Sequence, residues 1–145
     1  MPLPQPVPGL VIRYAYLWRA EHQRGQEEGV KDRPCAVILV TTDDDGGQVV
    51  TVLPVTHTQP SNPALAVEIP HPTKRRLGLD DERSWIVLTE ANRFVWPWPD
   101  LRQAQPGDMA SVAYGLLPRS LFKEVTAKLA DAIKSRLVRV VSRTE

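Results

Sequence analysis

Arg33, preceded by Lys31-Asp32 and pinned by Pro34, stands at the mouth of the apolar run Cys35-Ala36-Val37-Ile38-Leu39-Val40. A second β-rich run, Gln48 to Val55, ends on Thr56-His57-Thr58. A guanidinium at the start of one strand and hydroxyls at the exit of the next suggest one shared site for a phosphate. Arg supplies a planar, permanently charged fork, and Thr supplies groups that donate or accept a proton. His57 adds the side-chain type whose ordinary titration lies near neutrality, which suits proton transfer. Arg33 is no base, because an arginine pKa lies above about 12. Thr56 is a poor base alone and is better suited to orienting a hydroxyl or a phosphate. On a strand Thr56 and His57 point to opposite faces, whereas in a turn they converge. The same residues also fit a plain strand start and a plain turn. His22 and His71 are weaker candidates, and the three histidines lack metal-ligand spacing, so neither a metal nor a cofactor is expected.

Other candidates for contacting a polyanion are Lys74, Arg75 and Arg76 in one cluster, Arg93, and the aromatic pair in Trp96-Pro97-Trp98-Pro99. Trp96 and Trp98 offer stacking platforms for single-stranded bases. The formal net charge is only +1, and it is split. Residues 119–145 carry seven Lys/Arg against three Asp/Glu, and residues 1–117 carry eleven against fourteen. Bulk polyanion binding is excluded by that balance, so any nucleic-acid contact is local.

These groups need a scaffold, and 145 residues suit a single domain, 1–145. Four prolines in the first eight residues predict an extended arm over 1–9. Leu10, Ile12, Tyr14, Tyr16 and Trp18 alternate onto one strand face. Residues 21–32 read as an exposed loop, 34–40 and 48–55 as a hairpin around Asp43-Asp44-Asp45-Gly46-Gly47, and 64–69 as a short strand. Residues 71–83 read as a charged connector, 85–95 as one long bent strand, and 111–117 as the last strand. From Pro118 the apolar period becomes helical through Leu121, Phe122, Val125, Leu129, Ile133 and Leu137, predicting a helix over 118–137 and a basic tail over 138–145. Six strands and one terminal helix, without βαβ alternation, predict a mainly β protein: a small curled barrel with a C-terminal α-helix. The single cysteine allows no internal disulfide, and its place in an apolar strand predicts burial. The longest apolar run, six residues, is too short to span a bilayer, and the first residues lack the pattern of a signal peptide. The expected compartment is cytoplasmic.

Read in order, several segments resemble the MazF/PemK toxins of type II toxin–antitoxin systems, closest to the PemK-like growth inhibitors. They are Pro8-Gly9, the Gly25 to Pro34 stretch, Leu53-Pro54-Val55-Thr56, Val67-Glu68-Ile69, Leu77-Gly78-Leu79, Ser84-Trp85-Ile86-Val87-Leu88, and the junction from Tyr114-Gly115 to Leu121-Phe122. The resemblance spans roughly residues 8–125. It implies an SH3-like, partly open barrel, a homodimer, and a metal-independent endoribonuclease cutting single-stranded RNA. It also implies attack by the ribose 2′-hydroxyl and neutralisation by a cognate antitoxin. The family's catalytic Arg and Thr fall on Arg33 and Thr56, with His57 as a further catalytic candidate. Thr58, Arg93, Trp96, Trp98, Lys74 and Arg75 are the RNA-binding candidates. One departure is plain: Arg93 matches an Arg that some members pair with a nearby Asp, but Trp96 stands where that Asp is expected. The alternative is a catalytically silent or gyrase-directed, CcdB-like protein-binding module. CcdB toxins act through a Trp near the C-terminus, and the segment Val140-Val141-Ser142-Arg143-Thr144-Glu145 has no aromatic.

Overall fold

A computed structural model describes residues 5–20, 32–96 and 112–142. At its centre lies the hairpin of β2 (Arg33–Thr42) and β3 (Gln48–Thr56). Its turn is held by Asp43, whose Oδ1 accepts from the amides of Asp45 and Gly47 at 3.1 and 2.7 Å. On the β2 side follow β1 (Leu10–Tyr14) and β7 (Ala113–Leu116), both antiparallel. The other edge of β3 is shared. Its first half pairs with β6 (Glu90–Trp96), and its last residues, Val55 and Thr56, pair with β5 (Trp85–Val87). β4 (Ala66–Glu68) extends β5, and β8 (Arg139–Ser142) runs parallel to β6. The sheet is mainly antiparallel and is not closed, ending at β4, β7 and β8.

Alternation along the central strands feeds two cores. Val11, Ala36, Leu53 and Val55 face one, together with Leu77, Leu121 and Val125 from the helices. Ile12, Cys35, Val37, Val50 and Val52 face the other, with Tyr14, Tyr16, Phe94 and Trp96. The first strand, predicted through Trp18, ends at Tyr14, but the five residues predicted to share its face all join this second core, Trp18 at its margin. Tyr14 stacks on Phe94 with centroids 4.6 Å apart, and Phe94 on Trp96 at 6.3 Å.

Several boundaries depart from the sequence reading. The stretch over 85–95 is two strands, because Leu88-Thr89 breaks the ladder between β5 and β6. Residues 71–83 are not a connector throughout: His71–Leu77 is a helix, α1, with Pro72 in its first turn and Gly78 closing it. The C-terminal helix α2 spans Arg119–Lys134, not 118–137, because Arg136 turns left-handed at φ 58° and reverses the chain. The expected basic tail therefore begins as a strand, β8. Ile133 and Leu137 lie exposed, and Ala132 is buried in their place. No helix among the described residues is long and apolar enough to cross a membrane.

Candidate functional site

Beyond the last rung of the β2–β3 hairpin opens a cleft of about 470 Å³. Arg33, Thr56, His57 and Thr58 line it together with Trp18, Lys74, Asp80 and Ser84. The predicted convergence of Arg33 with the Thr56–Thr58 turn is therefore present.

Arg33 opens β2 opposite Tyr14, and its guanidinium carbon lies 4.8 Å from the centre of the Trp18 ring. Such a cation–π contact fixes the plane of the guanidinium and contributes about 0.5–2 kcal/mol. Nη1 donates to the Val55 carbonyl at 3.3 Å, and the buried Nε has no hydrogen-bond partner. Nε is out of reach of solvent, and an unmet buried donor of that kind costs about 1–3 kcal/mol. The carboxylate of the adjacent Asp32 turns to Arg13 at 3.8 Å.

Trp18 is placed by β6. The buried amide of Asn92 accepts from the Leu17 N–H at 2.9 Å and donates to the Leu17 carbonyl at 2.8 Å. Glu90 accepts from Tyr16 Oη at 3.1 Å and from the Arg19 amide at 2.9 Å. Burial, reinforced by Glu90, pushes the Tyr16 phenol well up, so it remains a donor. This two-sided clamp carries the segment after β1 to Trp18 without a ladder.

Thr56 is the last residue of β3, and its Oγ1 accepts from the Thr58 amide at 3.2 Å. With that acceptor used, its hydroxyl proton is available to a ligand oxygen. His57 turns to the loop after α1: Nε2 lies 2.8 Å from Asp80 Oδ2, and Nδ1 lies 3.0 Å from Glu82 Oε2. Asp80 Oδ1 takes Lys74 Nζ at 2.5 Å. Lys74 is only 2% exposed, and Ser84 Oγ at 2.6 Å and the Glu82 carbonyl complete its three acceptors. Partial burial works to raise Asp80, but Lys74 and His57 outweigh it and hold the carboxyl below its ordinary value. Gly78, at φ 75°, makes this loop possible: it ends α1 with paired bonds, Gly78 N to Arg75 O and Leu79 N to Lys74 O, and swings Asp80 back over Lys74.

His57, Asp80 and Glu82 bring one nitrogen and two oxygens within 4.8 Å, a grouping able to attract a cation. The two carboxylates face different ring nitrogens, and Asp80 already holds an ammonium. As arranged, the cluster is a hydrogen-bonded network joining His57, Asp80, Glu82 and Lys74.

The other candidates divide. Lys74 lines the cleft, but its ammonium is saturated within the protein by Asp80, Ser84 and the Glu82 carbonyl, which leaves no donor for RNA. Arg75 is exposed on α1 and faces a separate shallow surface with His71 and Arg76. Arg93 is exposed on β6 beside Val138 and Val140 of the α2 side, away from Arg33. Trp96 is 9% exposed and packs on Phe94, so it is a core residue and not a free stacking platform. Trp98 lies outside the described residues. Cys35 is fully buried, and burial pushes its thiol up despite the nearby Arg33 charge, which removes it as a nucleophile. Sequence reasoning missed Trp18 as the partner of Arg33, and Asp80, Glu82 and Ser84 as partners of His57 and Lys74. No local pattern links positions 57 and 80, and only the end of an alternating run pointed to Trp18.

No protein-family model matches this sequence, and a search of curated proteins gives no significant match.

Proposed function

We propose that the protein is a metal-independent endoribonuclease that cuts single-stranded RNA, of the MazF/PemK type, on an SH3-like, partly open barrel. The observation that carries this reading is the Arg33 guanidinium. It lies over the Trp18 ring and shares one cleft with Thr56 and His57.

A phosphodiester in the cleft places its non-bridging oxygens toward Arg33 and the Thr56 hydroxyl. The 2′-oxygen attacks phosphorus while its proton passes to a base. The P–O5′ bond breaks, and the departing 5′-oxygen takes a proton from water. A cyclic 2′,3′-phosphate and a 5′-hydroxyl remain, with no oxidant or reductant needed. Charge accumulates on the phosphate oxygens in the transition state, where a fixed guanidinium is most effective. The single-strand preference follows from reach, since bases in a duplex cannot splay into a cleft walled by a loop and an aromatic ring.

The same resemblance supports a cytoplasmic homodimer neutralised by a cognate antitoxin. An apolar groove between α2 and the sheet, with exposed Leu39, Ile133 and Val140, offers a surface for the second copy. The test of the activity is incubation with single-stranded and duplex RNA in EDTA, followed by end-group analysis. Cleavage of the single strand alone, leaving cyclic phosphate and 5′-hydroxyl ends, is expected. No cleavage, or cleavage restored only by a divalent ion, would overturn the reading.

A further inference from the structure

The cleft contains a chain of contacts that the Arg33 and Thr56 chemistry does not use. We propose that Asp80 is the positioning residue of His57, fixing its ring orientation and tautomer, and that buried Lys74 is the anchor holding Asp80 in place. The kinetic part of this inference rests on the ribonuclease reading above; the structural part does not.

His57 stands on an exposed loop, where an unpartnered imidazole would rotate freely. Asp80 divides its two oxygens between two partners: Oδ2 meets His57 Nε2 at 2.8 Å, and Oδ1 meets Lys74 Nζ at 2.5 Å. The Glu82 amide donates to the same Oδ1 at 3.2 Å. Rotating the carboxylate would strip an acceptor from a buried ammonium, whose remaining partners are Ser84 and the Glu82 carbonyl. Losing a partner is costly for a charge away from water. The Asp80 carboxylate is therefore fixed from behind, although half of it faces solvent.

The charged groups facing the ring are Asp80 at Nε2 and Glu82 at Nδ1, with Lys74 behind Asp80 and Arg33 sharing the cleft. The two carboxylates are not equivalent. Glu82 is 71% exposed and no described side chain anchors its carboxylate, so its pairing is weak and easily exchanged for water. A neutral imidazole has one N–H, which goes to the anchored acceptor. The ring is then Nε2–H toward Asp80, and Nδ1 carries the lone pair. In the cleavage step the exposed Glu82 yields its place at Nδ1 to the substrate, and Nδ1 takes the 2′-hydroxyl proton as the O2′–P bond forms and the P–O5′ bond breaks. Water protonates the 5′-oxygen, and the imidazolium afterwards loses its proton to solvent.

Asp80→Asn makes a sharp test, because Lys74 dictates how the amide must lie. The ammonium needs an acceptor, so the amide oxygen stays on Lys74 and the NH₂ turns to His57 Nε2. That nitrogen must then accept, and the neutral ring flips to Nδ1–H. Long-range ¹⁵N–¹H correlation spectra of the ¹⁵N-labelled full chain, recorded where the ring is neutral, read the tautomer directly. Nε2–H is expected in the wild type and Nδ1–H in Asp80→Asn. A wild-type ring that is Nδ1–H or mixed would overturn the proposal even if the variant failed to fold. So would a folded variant that keeps the wild-type tautomer. With RNA, Asp80→Asn is expected to lower kcat by about 10²-fold or more with KM little changed. Wild-type kcat in a variant with the flipped ring would overturn the catalytic role. If the tautomers behave as expected and the wild type cuts no RNA, the positioning role is supported and the ribonuclease reading falls.

Discussion

Arg33 and Trp18 form the pair on which the cleft depends, and each makes a different contribution. Trp18 holds the guanidinium plane, so Trp18→Ala is expected to slow RNA cleavage about fivefold, the equivalent of about 1 kcal/mol of cation–π contact. Trp18→Phe should keep most of the rate. Single-turnover kinetics on both variants check this, and an unaffected Trp18→Ala would show that the ring is packing alone. Thr56→Val should cost more than Thr58→Val, because the Thr56 hydroxyl faces the cleft while Thr58 contributes its backbone N–H to Thr56. A larger loss at Thr58 would invert the assignment. The Arg33-to-Thr56 convergence was legible in the sequence because proline pins the first and a strand end exposes the second. Trp18 was not, since its alternation with Leu10, Ile12, Tyr14 and Tyr16 marks a face without marking a neighbour. Trp96 is a candidate stacking platform by residue type alone, yet its ring completes the Phe94 stack, a packing role that the type allows equally.

α1 and β6 act at a distance on the same cleft. Lys74→Met is expected to lower stability by about 2 kcal/mol, less than a fully buried pair because Asp80 keeps access to water. Thermal or urea unfolding measures it. The same pair makes stability fall in acid. Asp80 has a folded pKa below its ordinary value of 3.8, so its contribution is complete above that value and is lost as pH falls through the lower folded one. In Asp80→Asn the acid limb of the stability curve should flatten there; an unchanged limb would place the dependence elsewhere. Asn92→Ala leaves both backbone groups of Leu17 without their partner and should cost about 1–3 kcal/mol while freeing Trp18. The strand pattern of the hairpin was readable from alternation and turn residues. α1 was hidden by its length of seven residues, too short for a period to show, and by one proline inside it and another just before it. β8 was hidden because its backbone partner, β6, lies more than forty residues earlier in the chain.

For the whole molecule, a sheet that among the described residues ends at β4, β7 and β8, with an exposed apolar groove beside α2, is the surface from which a two-fold partner would gain most. Light scattering at micromolar concentration should give twice the 16.2 kDa chain mass, and Ile133→Glu should shift it toward the monomer. A wild-type monomer would remove the dimer from the account. The net charge of +1 offers no broad basic face, so RNA affinity should fall with salt by only the few phosphates held in the cleft. The central claim is that the cleft around Arg33 breaks RNA without a metal. It is tested most directly by comparing wild type and Arg33→Ala on one 5′-labelled single-stranded RNA in EDTA, with unfolding curves run alongside. The wild type should leave cyclic phosphate ends, and Arg33→Ala should be about 10²- to 10³-fold slower at unchanged Tm. A folded Arg33→Ala that cuts at the wild-type rate would contradict it.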